Sequence, residues 1–259
     1  MIKKAVFVAL CLLTSCSSTP KNGLKVAATA VPHAEILEFV KPYLKTQGID
    51  LIIVETADYN MPNRALADKE VDANFFQHLP FLEEQIKQFH YPIESIAHIE
   101  LEPVGIYSRK IHSLSELKER ARVAIPNDPT NEARALRLFQ VQGFIQLDHP
   151  NNLQATVLNI THNPKQIQFI EVDAAMVPRS LDDVDAAVIN SNFAMQAYLS
   201  PLKDALVLES KHSPYINILV ARIGDENRPD IQALKMALTS DKVKEWILQK
   251  YQGAILPAF

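Results

Sequence analysis

Residues 122–136, Arg-Val-Ala-Ile-Pro-Asn-Asp-Pro-Thr-Asn-Glu-Ala-Arg-Ala-Leu, constrain the fold of this chain more than any other stretch. Residues 123–125 read as a short apolar strand and residues 126–128 as a polar turn. Asp128 is a favoured N-cap and Pro129 suits a first helical position, so the spacing predicts a helix over residues 129–142, with Gly143 as its C-cap. Asn131 and Arg134 then lie one turn apart on one helix face. Together with the unpaired N–H groups at the helix start they would form a receptor for a small anion such as a carboxylate. A surface helix with a solvated Arg134 fits the same pattern.

The alternation continues on both sides. Strands are expected at residues 24–28, 51–54, 71–75, 93–101, 104–108, 123–125, 168–171, 186–189, 205–208 and 216–222. Helices are expected at 33–45, 62–69, 79–89, 114–120, around 174–181, at 192–197 and twice more near the C-terminus. This order implies α/β architecture with a mostly parallel sheet covered on both faces. Two extended stretches, 100–108 with Pro103 and 209–217, have the form of crossings between lobes. If they are, the C-terminal helices return to the N-terminal lobe and a ligand cleft lies between the lobes. One continuous doubly wound sheet is equally compatible with these residues.

Composition narrows the function. A hydrophobic content of 47% over 259 residues supports a large core, and a net charge of −4 without a basic stripe excludes nucleic acid as a partner. Six glycines, none at the spacing of a phosphate-binding loop, argue against a nucleotide cofactor, and no cofactor is expected. The eight histidines contain no i,i+3 or i,i+4 pair, so no helix offers two imidazoles to a metal. There is no G-x-S-x-G elbow, and no catalytic constellation emerges. Lys3 and Lys4 followed by apolar residues 5–13 read as a signal-peptide core, and Leu13-Thr14-Ser15-Cys16 resembles a bacterial lipobox. Residues 1–15 would be removed, Cys16 would carry lipid, and residues 16–23 would form a tether. An ordinary secretory signal with an incidental cysteine is the alternative. Cys11 would leave with the signal, so the mature protein would have neither a free thiol nor a disulfide.

Ligand candidates cluster at strand ends, where α/β proteins place their sites. Tyr59 follows the second strand, Asn74, Phe76 and His78 close the third, Asn190 closes residues 186–189, and Tyr215 and Asn217 sit in the second crossing. Of Phe75 and Phe76 one should be core, because neighbouring strand residues face opposite sides.

Several phrases resemble the methionine-binding lipoproteins of the NlpA (MetQ-like) type, substrate-binding components of ABC importers. They are Pro32-His33-Ala34-Glu35-Ile36-Leu37, Asp58-Tyr59-Asn60-Met61-Pro62-Asn63, Asp72-Ala73-Asn74-Phe75-Phe76-Gln77-His78, the 123–131 run, Pro178-Arg179-Ser180-Leu181-Asp182-Asp183-Val184-Asp185 and Ser213-Pro214-Tyr215-Ile216-Asn217. The resemblance implies a two-lobed periplasmic-binding-protein fold of type II with two hinge crossings. Lobe 1 would comprise residues 24–106 and 217–259, and lobe 2 residues 107–216. It also implies a binding protein rather than an enzyme, taking methionine or a related small amino acid and delivering it to a permease and its ATPase. The protein would be lipid-anchored in a bacterial envelope, facing the periplasm or exterior. By the family pattern Arg134 would clamp the ligand carboxylate, Asn190 and Asn217 would hold its polar end, and Tyr59, Phe76 and His78 would wall the side chain. Asn131 and Tyr107 would be secondary contacts.

Where the family pattern has glycine, this chain has Ala30, Val31, Lys69-Glu70, Ala133 and Tyr198, replacements that would narrow the cleft or change the backbone approach to the ligand. Competing functions make different demands. A metal-binding importer component needs three or four histidine or carboxylate ligands to converge, and an envelope enzyme needs a nucleophile–base pair in the cleft. A surface lipoprotein acting through protein contact needs no open cleft at all.

Overall fold

A computed structural model describes residues 23–259, so the expected signal peptide, Cys16 and all of the tether but Gly23 lie outside the described residues. The chain begins with β1 (Leu24–Thr29), α1 (Glu35–Thr46), β2 (Leu51–Thr56), α2 (Pro62–Ala67), β3 (Ala73–His78), α3 (Leu79–Phe89) and β4 (Ile93–Leu101). It then passes through β5 (Gly105–Tyr107), β6 (Arg122–Pro126), α4 (Pro129–Val141), the hairpin strands β7 (Gln146–Leu147) and β8 (Ile160–His162), and β9 (Gln168–Val172). β10 (Ala186–Ile189), α5 (Ser191–Gln196), α6 (Pro201–Asp204) and β11 (Ala205–Leu208) follow. β12 (Ile216–Arg222), α7 (Pro229–Leu238), α8 (Asp241–Tyr251) and β13 (Leu256–Pro257) complete it.

Two main sheets and a small β7-β8 pair result, and the main sheets make the molecule two-lobed. The first has strand order β13-β4-β12-β3-β1-β2 and the second β11-β5-β10-β6-β9. The chain leaves the first sheet after Leu101 and joins the second at Gly105, then leaves the second after Leu208 and rejoins the first at Ile216. Both extended stretches are therefore crossings, and a single continuous sheet does not form. The sheets are also less parallel than the alternation suggests. β1 runs parallel to β2 and β3, and β6 to β9 and β10, but β12 opposes both β3 and β4, and β5 opposes both β10 and β11. The opposed strands are those next to the crossings. A strand that returns from the other lobe without a covering helix has no βα unit to enforce a parallel entry.

Each lobe buries its own core. In the first, Ile36, Leu37, Val40 and Leu44 recur at helical spacing and bury one face of α1 against Leu234, Leu238 and Ile247 of the returning helices. In the second, Leu136 and Phe139 of α4 pack with Val123, Ile125 and Val188 of the sheet. The expected helix at 114–120 is one turn only, Leu114–Glu116, because just Leu114 and Leu117 are buried and the charged residues that follow have no face to pack. Around 174–181 the chain likewise forms a tight 3-10 helix, Val177–Asp182.

Two of the missing glycines matter to the backbone. Lys69 and Tyr198 adopt φ of 65° and 61°, the left-handed region, and Tyr198 is 97% exposed. The Cβ penalty there is roughly 1–2 kcal/mol, and glycine's extra chain entropy returns about 0.5–1 of it. Lys69→Gly and Tyr198→Gly are therefore each expected to stabilise the fold by about 0.5–1 kcal/mol, read as a raised denaturant midpoint. Ala133 is fully buried in the second core and does not narrow the cleft.

Candidate functional site

The site lies where the two lobes face each other and is assembled from strand ends. β3 runs three residues past its expected end, to His78, which also caps α3: its Nδ1 accepts from the Phe81 N–H at 3.1 Å. That leaves Nε2 as the N–H donor toward Asn131 Oδ1, 3.2 Å away on the opposite lobe. Burial, reinforced by the Arg134 charge, pushes the His78 pKa down to about 3, so the ring is neutral at ordinary pH. The amides of Asn63, Asn74 and Gln77 bond one another beneath this strand, which makes Asn74 a brace between β3 and α2.

The junction at residues 122–136 forms as expected, with one change of role. Asp128 caps α4, accepting from Asn131 N and Nδ2 at 3.0 Å and from Thr130 Oγ1 at 3.1 Å. The helix start is thus occupied by the chain's own carboxyl group and is not free to receive an anion. Arg134 is only 4% exposed, which rules out the solvated-helix alternative. Its Nε reaches both oxygens of Glu209 at 3.1 Å, and its Nη2 bonds Glu209 and, at 2.7 Å, the Glu102 carbonyl. The guanidinium lies 4.5 Å above the Tyr215 ring. Burial pulls its pKa down, but the Glu209 charge and hydrogen bond, with the nearby Tyr215 and Glu102, together outweigh that and hold the pKa above its ordinary value. Nε and Nη2 are thus both engaged within the protein.

Between the lobes is a narrow cavity with ≈ 20 Å³ of free room, about enough for one water molecule, so the lobes lie close together here. Tyr59, Phe76, His78, Asn131, Arg134, Asn190 and Asn217 all line it. At one end Tyr59, Phe76 and Phe81 form a three-ring wall with centroids 5.9–6.0 Å apart. Phe75, its neighbour in the strand, is in the lobe 1 core instead. At the other end stand the Glu102 carboxyl, Arg134 and the amides of Asn190 and Asn192. Asn190 Oδ1 and Asn192 Nδ2 are buried without a hydrogen-bond partner among the described residues, one an acceptor and the other a donor. Leaving such a group unpaired costs roughly 1–3 kcal/mol, so these atoms favour a ligand carrying both signs. The lobes also bond each other directly: Tyr59 Oη donates to Asn192 Oδ1 at 2.7 Å and His78 Nε2 meets Asn131 Oδ1 at 3.2 Å, while within the second lobe Asn190 Nδ2 donates to the same Asn131 oxygen at 2.8 Å.

Tyr107 is placed elsewhere. Its ring is buried in the second lobe among Ala124, Val177 and Phe193, over the space that Gly105 leaves open; a Cβ on that glycine would lie 2.7 Å from the ring. It is a core residue, not a ligand contact. Conversely, Glu102, Phe81, Ser191, Asn192 and Glu209 were not singled out by the sequence pattern. Glu102 had one visible signal, its position at the end of a strand just before Pro103, in the crossing that was recognised as such.

Behind Glu102 lies a fully buried cluster. His33 Nε2 is 3.3 Å from Glu100 Oε1 and 3.1 Å from Glu102 Oε1, and His33 Nδ1 meets the Thr29 hydroxyl at 2.6 Å. Asn217 Nδ2 donates to the same two carboxyl oxygens at 2.7 and 2.8 Å. Burial, the adjoining Glu100 charge and the bond to Glu100 raise the Glu102 pKa well above the carboxylate range. His33, Glu100 and Glu102 are the one group of metal-donor side chains converging among the described residues. Yet the amide hydrogens of Asn217 sit on the very oxygens a cation would need, and His78 belongs to a different network. The metal-importer alternative therefore finds little support in the donor set. Nor do the described residues around the cavity assemble a nucleophile–base pair: Ser191 Oγ donates to the Pro103 carbonyl at 2.5 Å while His78 Nε2 is held by Asn131.

The sequence profile of the NlpA lipoprotein family matches residues 24–259. The chain belongs to the NlpA lipoprotein family. Among relatives, this NlpA-family chain is 40% identical over 255 residues to the methionine-binding lipoprotein MetQ of Bacillus subtilis, covering 96% of this chain and 93% of the relative. A nutrient-binding protein from Burkholderia cenocepacia, solved bound to methionine, superposes with a TM-score of 0.88 at 43% identity, covering 91% of this chain and 100% of the other. An ABC transporter periplasmic substrate-binding protein from Coxiella burnetii gives 0.86 at 43% identity, with 91% and 100% covered.

Proposed function

We propose that this protein is the substrate-binding lipoprotein of an ABC importer and that it captures methionine between its lobes. The carrying observation is the division of one small cavity into a three-ring aromatic wall and a polar end holding a carboxyl group, a guanidinium and two unpaired amide atoms. A zwitterion with a flexible apolar side chain suits that division. Its carboxylate faces Arg134 and Asn192 Nδ2, and its ammonium faces Glu102 and Asn190 Oδ1. The thioether lies among Tyr59, Phe76 and Phe81, with His78 closing the wall, where sulfur gains from aromatic contact. Asn217 acts by holding Glu102 in place, and Asn131 acts by joining the lobes. On this reading lobe 1 comprises residues 24–101 with 216–259 and lobe 2 residues 105–208, hinged through 102–104 and 209–215, so the boundaries expected at 106/107 and 216/217 shift with the sheets.

The relatives' names support this assignment, including one solved with methionine and one described as an ABC transporter component. On this reading the protein performs no chemistry on its ligand. It closes on methionine and hands it to a permease driven by an ATPase on other chains. Among the described residues no helix is long and apolar enough to cross a membrane, and attachment through lipid on Cys16 would hold the protein at the envelope surface, facing the periplasm or exterior.

Mass spectrometry of the small molecule released on denaturing the purified protein, followed by calorimetric titration with D- and L-methionine, tests the assignment. Release and binding of methionine are expected; no measurable binding of either isomer would sink it. A smaller effect tests the closure. Tyr59→Phe removes only the bond to Asn192, worth about 0.5–1.5 kcal/mol, so a loss of about two- to tenfold in affinity is expected from the same titration.

A further inference from the structure

The buried cluster behind the cavity has a charge problem that methionine is suited to solve. Glu100 and Glu102 are 0% and 5% exposed and His33 is 1% exposed, and the two carboxyl groups meet over one imidazole nitrogen and one amide. Two touching carboxylates buried this deeply do not both ionise, so the pair retains a proton. Only Glu102 of the three reaches the cavity. Glu100 Oε2 and His33 Nε2 have no well-formed hydrogen bond among the described residues, which marks the cluster as incompletely satisfied in its present state.

We propose that His33 and Glu100 are positioning residues that hold this proton against Glu102, and that the ligand's ammonium displaces it to solvent on binding. The inference rests on the reading that a zwitterion binds with its ammonium at Glu102. The exchange balances in protons: one proton leaves the Glu100–Glu102 pair for the buffer, the ammonium keeps all of its hydrogens and offsets the charge the pair gains, and the zwitterion's carboxylate is met separately at Arg134 and Asn192. The ligand thus becomes the cation that the cluster lacks. A neutral analogue without the ammonium cannot make the exchange, so the cluster selects for free amino acids.

Neighbouring groups do not supply the same proton. Arg134 and Glu209 neutralise each other at the far side of Glu102. His78 is pushed down to about 3 and stays neutral. Tyr59, above the cavity, and Tyr251, behind Glu100, have phenols pushed up by burial and stay neutral too. Thr29 presents only its hydroxyl to His33. Asp128 is raised by burial against the bonds from Asn131 and Thr130, and Glu132, on another face of α4, is pushed up to about 7 by burial; either could release a proton independently. Removing Glu100 distinguishes them, because it touches neither.

The sign follows from linkage. A carboxyl pKa raised in the free protein and lowered beside the ammonium means proton release between the two values, so affinity rises with pH through that window and levels off above it. The test is calorimetric titration of the mature, detergent-solubilised protein with L-methionine in buffers of different ionisation enthalpy, from about pH 5.5 to about pH 7.5, where methionine itself does not titrate. The expected result is release of a substantial fraction of one proton per methionine by wild type and little or none by Glu100→Gln, whose affinity becomes nearly flat with pH. Infrared difference spectra of wild type should lose the carbonyl band of a protonated carboxyl group when methionine is added, a readout that does not depend on the variant folding. Methionine binding with buffer-independent heat and no such band loss would overturn the proposal alone. Release undiminished in Glu100→Gln would also overturn it, assigning the proton to Asp128 or Glu132. No binding of methionine at all would overturn the ligand assignment and this proposal with it.

Discussion

Arg134→Ala is expected to weaken methionine binding by about tenfold to a hundredfold, the worth of a charge-assisted contact of roughly 1.5–3 kcal/mol. The structure adds a second consequence. Glu209, whose side chain is 14% exposed, is left without its ion-pair partner, and an uncompensated buried charge costs about 3–5 kcal/mol. The single variant should therefore lose both affinity, by calorimetry, and melting temperature. The double variant Arg134→Ala/Glu209→Gln separates the two roles, since it removes the stranded charge without restoring a guanidinium. Recovered stability with affinity still low identifies Arg134 as the carboxylate contact. Affinity returning along with stability would mean that Arg134 serves only as the counter-ion of Glu209.

The second large effect is expected at Asn131. Its Oδ1 accepts from His78 Nε2 in one lobe and from Asn190 Nδ2 in the other, and its Nδ2 donates to Asp128. Asn131→Leu keeps the size and does not lower helix propensity but strands two donors in the closed cleft, at about 1–3 kcal/mol each. The protein can avoid that penalty by opening, which lets water reach both groups. The ligand-free variant should accordingly show a larger radius of gyration by small-angle scattering than wild type, and methionine affinity should fall by at least about tenfold, since binding must now drive closure against the stranded donors. An unchanged radius with unchanged affinity would show that the interlobe bonds contribute nothing to closure.

Much of this molecule is readable along the chain because its information is local. The strand, N-cap and proline of residues 122–129 dictate a helix start without reference to anything distant. The helical spacing of Ile36, Leu37, Val40 and Leu44 likewise announces the buried face of α1. The two crossings are visible as extended stretches, though their role is undecided until the resemblance to NlpA-type proteins is considered. Strand ends point to Tyr59, Phe76, His78 and Asn190, because each follows its own apolar run. The sheet's direction is less legible: β12 and β5 have ordinary strand sequences, and only their arrival from the other lobe sets them antiparallel to their neighbours.

The errors have a common cause. Tyr107 has the chemistry of a ligand contact and sits beside the crossing, but which way a strand residue faces depends on its sheet, and Gly105 opens the space that takes its ring into the core. Ala133 stands between an asparagine and an arginine that line the cavity, yet helix geometry turns it inward. Glu102 and Glu209 are two carboxyl groups in extended polar stretches, indistinguishable by pattern from solvated turns.

What the sequence by itself determined is therefore the class of fold, the positions of its helices and strands, and a helix carrying Asn131 and Arg134 on one face. Those properties follow from short-range spacing and capping. What only the tertiary structure decided is how the charges are spent. It pairs Arg134 with Glu209, fills the helix start with Asp128, and sets His33, Glu100 and Glu102 against one another. His33 is 67 residues before Glu100 and Arg134 is 75 before Glu209. The physical reason is that an ionisable group takes its character from burial and from the partner that burial imposes, and neither is written within reach of a local pattern.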